Sequence, residues 1–216
     1  KLYIIDSRTG NTAALFVKDM NTGQTDMLYE HPKADISGAM GNPETGEVEA
    51  VAANYLRTEW KILDDAVAED LKYLRTVQDG DISISSRVKD DTLWTVAYVR
   101  DDGPVEYYTY DRTAKKAEYV FSNRPALEDK PLAKMHPTVI ESRDGLNLVS
   151  YLTLPVWTDT DGDARPEEAL PMVLLVHGGP WARDQWGYNS YHQWLSNRGY
   201  AVLSVNYRGS TGFGKD

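Results

Sequence analysis

Two short apolar runs, Met172 to Val176 and Ala201 to Val205, bracket a stretch with helical spacing. No other feature restricts the fold as much. Between them, Tyr188, Tyr191 and Leu195 share one side of a predicted helix over Tyr188 to Arg198. Arg198 stands in its last turn and Gly199 at its stop. Strand, helix and strand with short links imply a right-handed parallel crossover. The near-continuous apolar character of Met172 to Val176 predicts a strand covered on both faces.

The sequence upstream has a different period. Residues 1–122 carry short β runs with polar turns: Ala13 to Val17, Thr25 to Tyr29, Val48 to Tyr55, Thr58 to Leu63, Leu93 to Val99, Val105 to Tyr110 and Ala117 to Phe121. Asn21-Thr22-Gly23 and Asp101-Asp102-Gly103-Pro104 supply turns. Phe16 to Gly23 and Tyr108 to Thr113 resemble each other loosely, and strands recurring with similar turns favour propeller blades over a sandwich. One stretch breaks the pattern. Asp64 to Thr76 spaces Val67, Leu71 and Leu74 as a helix, with acids early and Lys72 and Arg75 late, as the helix dipole favours. Residues 123–136 read as a linker because Arg124-Pro125, Lys130-Pro131 and His136-Pro137 discourage regular structure. Thr138 to Glu141 and Leu146 to Leu154 then form a predicted hairpin about Arg143-Asp144-Gly145, and an acidic loop, Thr158 to Glu168, leads to the first apolar run.

A formal net charge of −10 argues against nucleic acid or an anionic membrane as partner. The absence of cysteine removes disulfides, thiolate catalysis and cysteine-ligated metal. No apolar run reaches the roughly 18 residues of a membrane span. The chain begins Lys1-Leu2-Tyr3-Ile4-Ile5, which reads as mid-strand, so the true N-terminus is expected to lie upstream. Compartment and oligomeric state stay open.

Chemistry is concentrated after the two apolar strands. His177-Gly178-Gly179-Pro180 closes the first, where glycines allow backbone N–H groups to converge on an oxyanion. Asn206-Tyr207-Arg208-Gly209-Ser210-Thr211-Gly212-Phe213-Gly214 follows the second, on the sheet edge where open α/β sheets bind ligands. Its spacing fits no phosphate fingerprint.

Together these phrases resemble the prolyl oligopeptidase family of serine peptidases, in its acylaminoacyl-peptidase and dipeptidyl-peptidase-like bacterial branch. Ser142 to Leu146 and Tyr151 to Pro155 resemble the start of that family's catalytic domain. The resemblance is strong over 138–216 and loose before it. It implies an all-β propeller portion of about two to three blades over 1–122, a linker over 123–136, and the N-terminal part of an α/β-hydrolase domain over 137–216. It also implies short peptides as substrate and no cofactor or metal. By motif position His177, Gly178 and Gly179 form the oxyanion strand, with the Gly179 N–H as donor and His177 shaping the loop. The family's nucleophile lies on Gly-x-Ser-x-Gly, and no glycine here has a serine two residues on; Arg208 stands where Ser210 would need that glycine. The catalytic serine, aspartate and histidine are thus expected outside the chain, which is expected to be inactive alone.

Other candidates are weaker. Asp159, Asp161 and Asp163 alternate like a calcium loop, but Ala164 and Leu170 occupy the glycine and glutamate positions. His192 reads as a packed or helix-surface residue, and His31 and His136 precede prolines in loops. Trp181, Trp186 and Trp194 suit a pocket wall or, more simply, packing. Arg57, Glu59 and Trp60 match no defensible motif. The oxyanion strand alone also suits a general esterase or amidase, and a chain without a nucleophile also suits a non-catalytic interaction module.

Overall fold

The computed structural model describes residues 1–179 and 181–216; Pro180, the last residue of the HGGP phrase, lies outside the described residues. Three antiparallel meanders come first. β1 (Leu2–Asp6), β2 (Ala14–Lys18) and β3 (Thr25–Tyr29) form one sheet, and β4 (Ile36–Gly41), β5 (Val48–Asn54) and β6 (Thr58–Ile62) a second. After helix α1 (Ala68–Leu74), β7 (Asp81–Arg87), β8 (Leu93–Val99), β9 (Glu106–Asp111) and β10 (Lys116–Ser122) form a third, in the order β10-β9-β8-β7. Successive meanders of this size are the form propeller blades take, and three agree with the expected two to three.

Two of these strands escaped the sequence reading. β4, Ile36-Ser37-Gly38-Ala39-Met40-Gly41, carries two glycines and no alternation, and β7, Asp81 to Arg87, is rich in serine. Both pair with regular strands whose patterns are clear, so tertiary context overrides weak local preference. The predicted helix is present but shorter. Asp64 caps its leading turn by accepting from the Ala66 N–H at 2.9 Å. Val67, Leu71 and Leu74 enter a core shared with Met40, Ala50, Trp94, Val96, Tyr98 and Tyr110. A second core, around Leu15, Ile36, Val51 and Ala53, joins the first two sheets.

A mixed sheet follows: β11 (Met135–Glu141), β12 (Asn147–Thr153), β13 (Met172–Leu175) and β14 (Ala201–Val205), in the order β11-β12-β14-β13. β13 and β14 are parallel and joined through helix α2 (Ser190–Ser196), as the two apolar runs required. The hairpin about Gly145 forms, with φ +85° at that glycine. β11 starts earlier than expected and passes through Pro137. It is an edge strand, where a missing N–H costs no ladder bond. The linker is not loose either. Gln193 accepts from the Ala133 N–H at 2.9 Å and donates to its carbonyl at 2.7 Å, and Asp101 accepts from the Met135 N–H at 2.7 Å.

One expectation fails. Met172, Leu174 and Val176 are more than half exposed. β13 lies at the sheet edge, and α2 covers the opposite face, where His192 meets Thr153 and Ser204. Among the described residues no helix is long and apolar enough to cross a membrane.

Candidate active-site loops

The two glycine-rich phrases leave the C-terminal ends of neighbouring parallel strands, and the fold locks them together. The His177 ring stacks on Tyr207 with centroids 4.4 Å apart and planes 17° apart. The Tyr207 hydroxyl donates to the His177 carbonyl at 3.0 Å. His177 Nδ1 lies 2.8 Å from the Gly178 carbonyl, and Nε2 lies 2.8 Å from Ser210 Oγ. A carbonyl can only accept, so in the neutral ring Nδ1 carries the proton and the Ser210 hydroxyl donates to Nε2. Further along, the Thr211 N–H donates to the Ala182 carbonyl at 2.9 Å. Asn206 accepts from the Asp184 N–H at 2.8 Å and returns its own amide to the Asp184 carbonyl at 3.2 Å.

Within this frame Gly179 must be glycine. Gly179 has φ +142°, and a Cβ built there would lie 2.7 Å from the Trp181 nitrogen. Gly178 is unobstructed, with nothing within 4 Å of such an atom. Among the described residues no acceptor takes the N–H of Gly178 or Gly179. Unpaired donors at a strand end are what an oxyanion site requires. Asp184 adds a second such group: among the described residues its buried Oδ2 has no partner within hydrogen-bond distance, and burial pushes its carboxyl above the usual range.

The blades hold the same loops from the other side. The Asp35 N–H donates to the Gly212 carbonyl at 3.0 Å, and Asn11 accepts from the N–H of Lys215 at 2.7 Å and of Asp216 at 3.1 Å. Tyr55 meets Phe213 edge-on at 6.2 Å.

Comparison with known proteins fits this arrangement. No protein-family model matches the chain. It is 53% identical over 215 residues to dipeptidyl aminopeptidase BIII of Pseudoxanthomonas mexicana, covering 100% of this chain and 31% of that protein. It is 38% identical over 208 residues to dipeptidyl peptidase family member 6 of Caenorhabditis elegans, covering 89% of this chain and 28% of that one. The chain thus spans about a third of the length of these curated relatives. A puromycin-hydrolyzing peptidase of Mycobacterium tuberculosis has the same fold over 99% of this chain and 33% of its own, with TM-score 0.67 and 21% identity. The chain belongs to the prolyl oligopeptidase family.

Against that family assignment, the remaining candidates sort clearly. Trp186 is buried, donates to the Met135 carbonyl at 2.8 Å and lies 3.6 Å from the Arg57 guanidinium, so it packs. Trp181 is 86% exposed beside the glycine loop, and Trp194 is exposed on α2 under Arg198. His192 is buried between α2 and the sheet, bonded to Thr153 Oγ1 and Ser204 Oγ at 2.9 Å each; burial holds its pKa down to about 4. His31 Nδ1 accepts from the Lys33 N–H in a loop. His136 pairs with Asp159 at 2.6 Å, a contact the sequence did not indicate. The carboxylates of Asp159, Asp161 and Asp163 lie within 4.8 Å of one another, but Asp159 is already engaged by His136 and the Ala164 N–H. Arg57 donates to Asp81 at 2.8 Å and Trp60 to the Ile82 carbonyl, so both serve the scaffold, while Glu59 is exposed. Sequence reasoning missed Arg183 and Asp184. Their only mark was an adjacent cation and acid just past the glycines.

Proposed function

We propose that the protein carrying this segment is a serine peptidase that hydrolyses short peptides through an acyl-enzyme. Residues 1–122 are blades of its propeller, 123–136 a pinned connector, and 137–216 the first part of an α/β-hydrolase domain. The bare apolar face of β13, formed by Met172 and Leu174 and continued by Val176 just beyond it, supports that last assignment, since such sheets carry helices on both faces. The names of the two curated relatives, dipeptidyl aminopeptidase and dipeptidyl peptidase, support short peptides as substrate.

One observation carries the reading. The N–H groups of Gly178 and Gly179, unpaired among the described residues, stand at the C-terminal end of β13, with His177 fixed behind them by Tyr207 and Ser210. When a nucleophile adds to a peptide carbonyl, negative charge develops on its oxygen. The Gly179 N–H is the donor we assign to that charge, and His177 holds the loop without transferring a proton. A donor of this kind contributes about 3–4 kcal/mol to the transition state. The nucleophile, acid and base are not assigned to any residue of this chain.

A fluorophosphonate probe tests the reading on the full-length protein. Stoichiometric labelling with loss of dipeptide-amide hydrolysis is expected. Full-length protein that hydrolyses peptides without being labelled would falsify it. The 216-residue chain alone should not label.

A further inference from the structure

Arg183 lies four positions beyond Gly179, yet its side chain reaches into the blades. Nη1 donates to the Asn54 carbonyl at 2.7 Å and Nη2 to the Tyr55 carbonyl at 3.1 Å. Tyr151, 3.4 Å from Nη2, donates its hydroxyl to the Leu56 carbonyl at 3.0 Å. Three successive carbonyls of the turn between β5 and β6 are thereby taken from the mixed-sheet side. The guanidinium stacks on Phe213 at 4.2 Å, and a Cβ at Gly212 would stand 3.0 Å from its Nη1.

This is an unusual way to hold a cation. Its partners are carbonyls, a phenol and an aromatic face rather than a carboxylate, and burial pulls its pKa below the usual arginine value. Asp184 and Asp35 act on it only through space. A buried cation hydrogen-bonded to neutral acceptors alone thus remains costly, and an apolar side chain would serve packing alone at lower cost. What the planar fork adds is direction. The backbone around it is equally constrained. Ala182 is bonded to Thr211 and Asp184 to Asn206, so the segment can tilt only if the blade turn or the second loop moves with it.

We infer that Arg183 is a positioning residue that refers the Gly178–Gly179 loop to the blade turn 54–56 and so aims the Gly179 N–H. The inference rests on the oxyanion reading above. It makes the second blade part of what specifies the site.

The test uses full-length protein carrying Arg183→Ala, assayed on a dipeptide 4-nitroanilide with and without millimolar guanidinium. Misplacing a reacting geometry by about 1 Å costs up to about 100-fold, so kcat should fall roughly 10- to 100-fold while KM changes less than about threefold. Guanidinium should restore part of kcat without shifting the thermal midpoint. Arg183→Lys, which keeps the charge and loses the fork, should lie between wild type and Arg183→Ala. An unchanged kcat, a loss confined to KM, or a loss that guanidinium does not recover overturns the inference. Should Arg183→Ala not fold, a wild-type kcat in Arg183→Lys overturns it and a reduced kcat with unchanged KM supports it. Failure of wild-type protein to react with the fluorophosphonate overturns the peptidase reading instead, whatever the variants do.

Discussion

The blade formed by β7 to β10 and the loops beyond β13 and β14 both withdraw polar groups from water, yet they satisfy them in opposite ways. In the blade, Asp91 accepts from Arg87, Arg112 and, at 2.7 Å, the Trp94 indole. Arg87 also donates to Glu49 at 2.6 Å, and Asp70 accepts from Tyr110 at 2.6 Å, from Arg112 at 2.9 Å and from Lys115. Both guanidinium groups lie over Trp94, at 4.7 and 5.0 Å. Around Trp94 each buried carboxylate faces a guanidinium or ammonium group, although Asp101 at the far end of the blade is met by backbone N–H groups instead. In the loops Arg183 hydrogen-bonds only neutral groups. Among the described residues the buried Asp184 Oδ2 has no partner, while the exposed N–H groups of Gly178 and Gly179 stay open to solvent. A satisfied network rigidifies. Unmet polar groups in a well-packed region are where binding or chemistry is to be sought. The contrast separates a charge-balanced joint of the scaffold from the loops proposed to form the site.

The sharpest way to break the contrast is to uncompensate the blade. Asp91→Asn keeps a residue tolerant of the positive φ found there, +57°, but strips the charge from two arginines. Removing one partner of such a cluster costs about 3–5 kcal/mol. Urea unfolding should show that loss, and a change below about 1 kcal/mol would mean the network contributes little. In the loops, Gly179→Ala keeps the N–H but strains φ +142° and puts a Cβ 2.7 Å from the Trp181 nitrogen. Displacing the donor in this way should lower fluorophosphonate labelling by up to about 100- to 1000-fold. A variant labelled at the wild-type rate places the donor elsewhere.

His192 offers a smaller effect, read through pH. Its folded pKa, about 4, lies below the unfolded value near 6.5. The unfolded chain therefore binds the extra proton first, and stability falls as pH drops from about 6.5 toward 4. The full shift amounts to about 3 kcal/mol. Chemical denaturation across that window should lose this component in His192→Gln; an unchanged slope would show that His192 is not its source. The mildest change is Ser210→Ala, which removes the hydroxyl that holds His177 Nε2. A cost of about 1 kcal/mol in thermal stability is expected. A loss several times larger would mean the Tyr207 stack alone cannot keep the ring in place.

Much of this could be read from residue order. The crossover between Met172 and Val205, the hairpin about Gly145 and the helix through Leu71 follow from period and turn chemistry, which are local. The strand at Ile36 was illegible because its glycines dilute the alternation, and the one at Asp81 because its Ile82-Ser83-Ile84-Ser85 alternation is short and its serines favour strands weakly; both depend on distant pairing partners. The exposed face of β13 was misread for a related reason. An apolar run reports that a strand suits burial on both faces, while among the described residues only one helix, α2, packs on this sheet and leaves the other face of β13 bare.

The sequence by itself determined the two glycine-rich phrases and the order of blades before mixed sheet, because these depend on composition and spacing. It also marked His177, Gly178 and Gly179 as the place to look. Only the tertiary structure decided that His177 is held by Tyr207 and Ser210, and that Arg183 faces the blade turn. Asn54 and Arg183 are 129 residues apart, and no local rule links residues so distant until packing brings the second blade against the sheet.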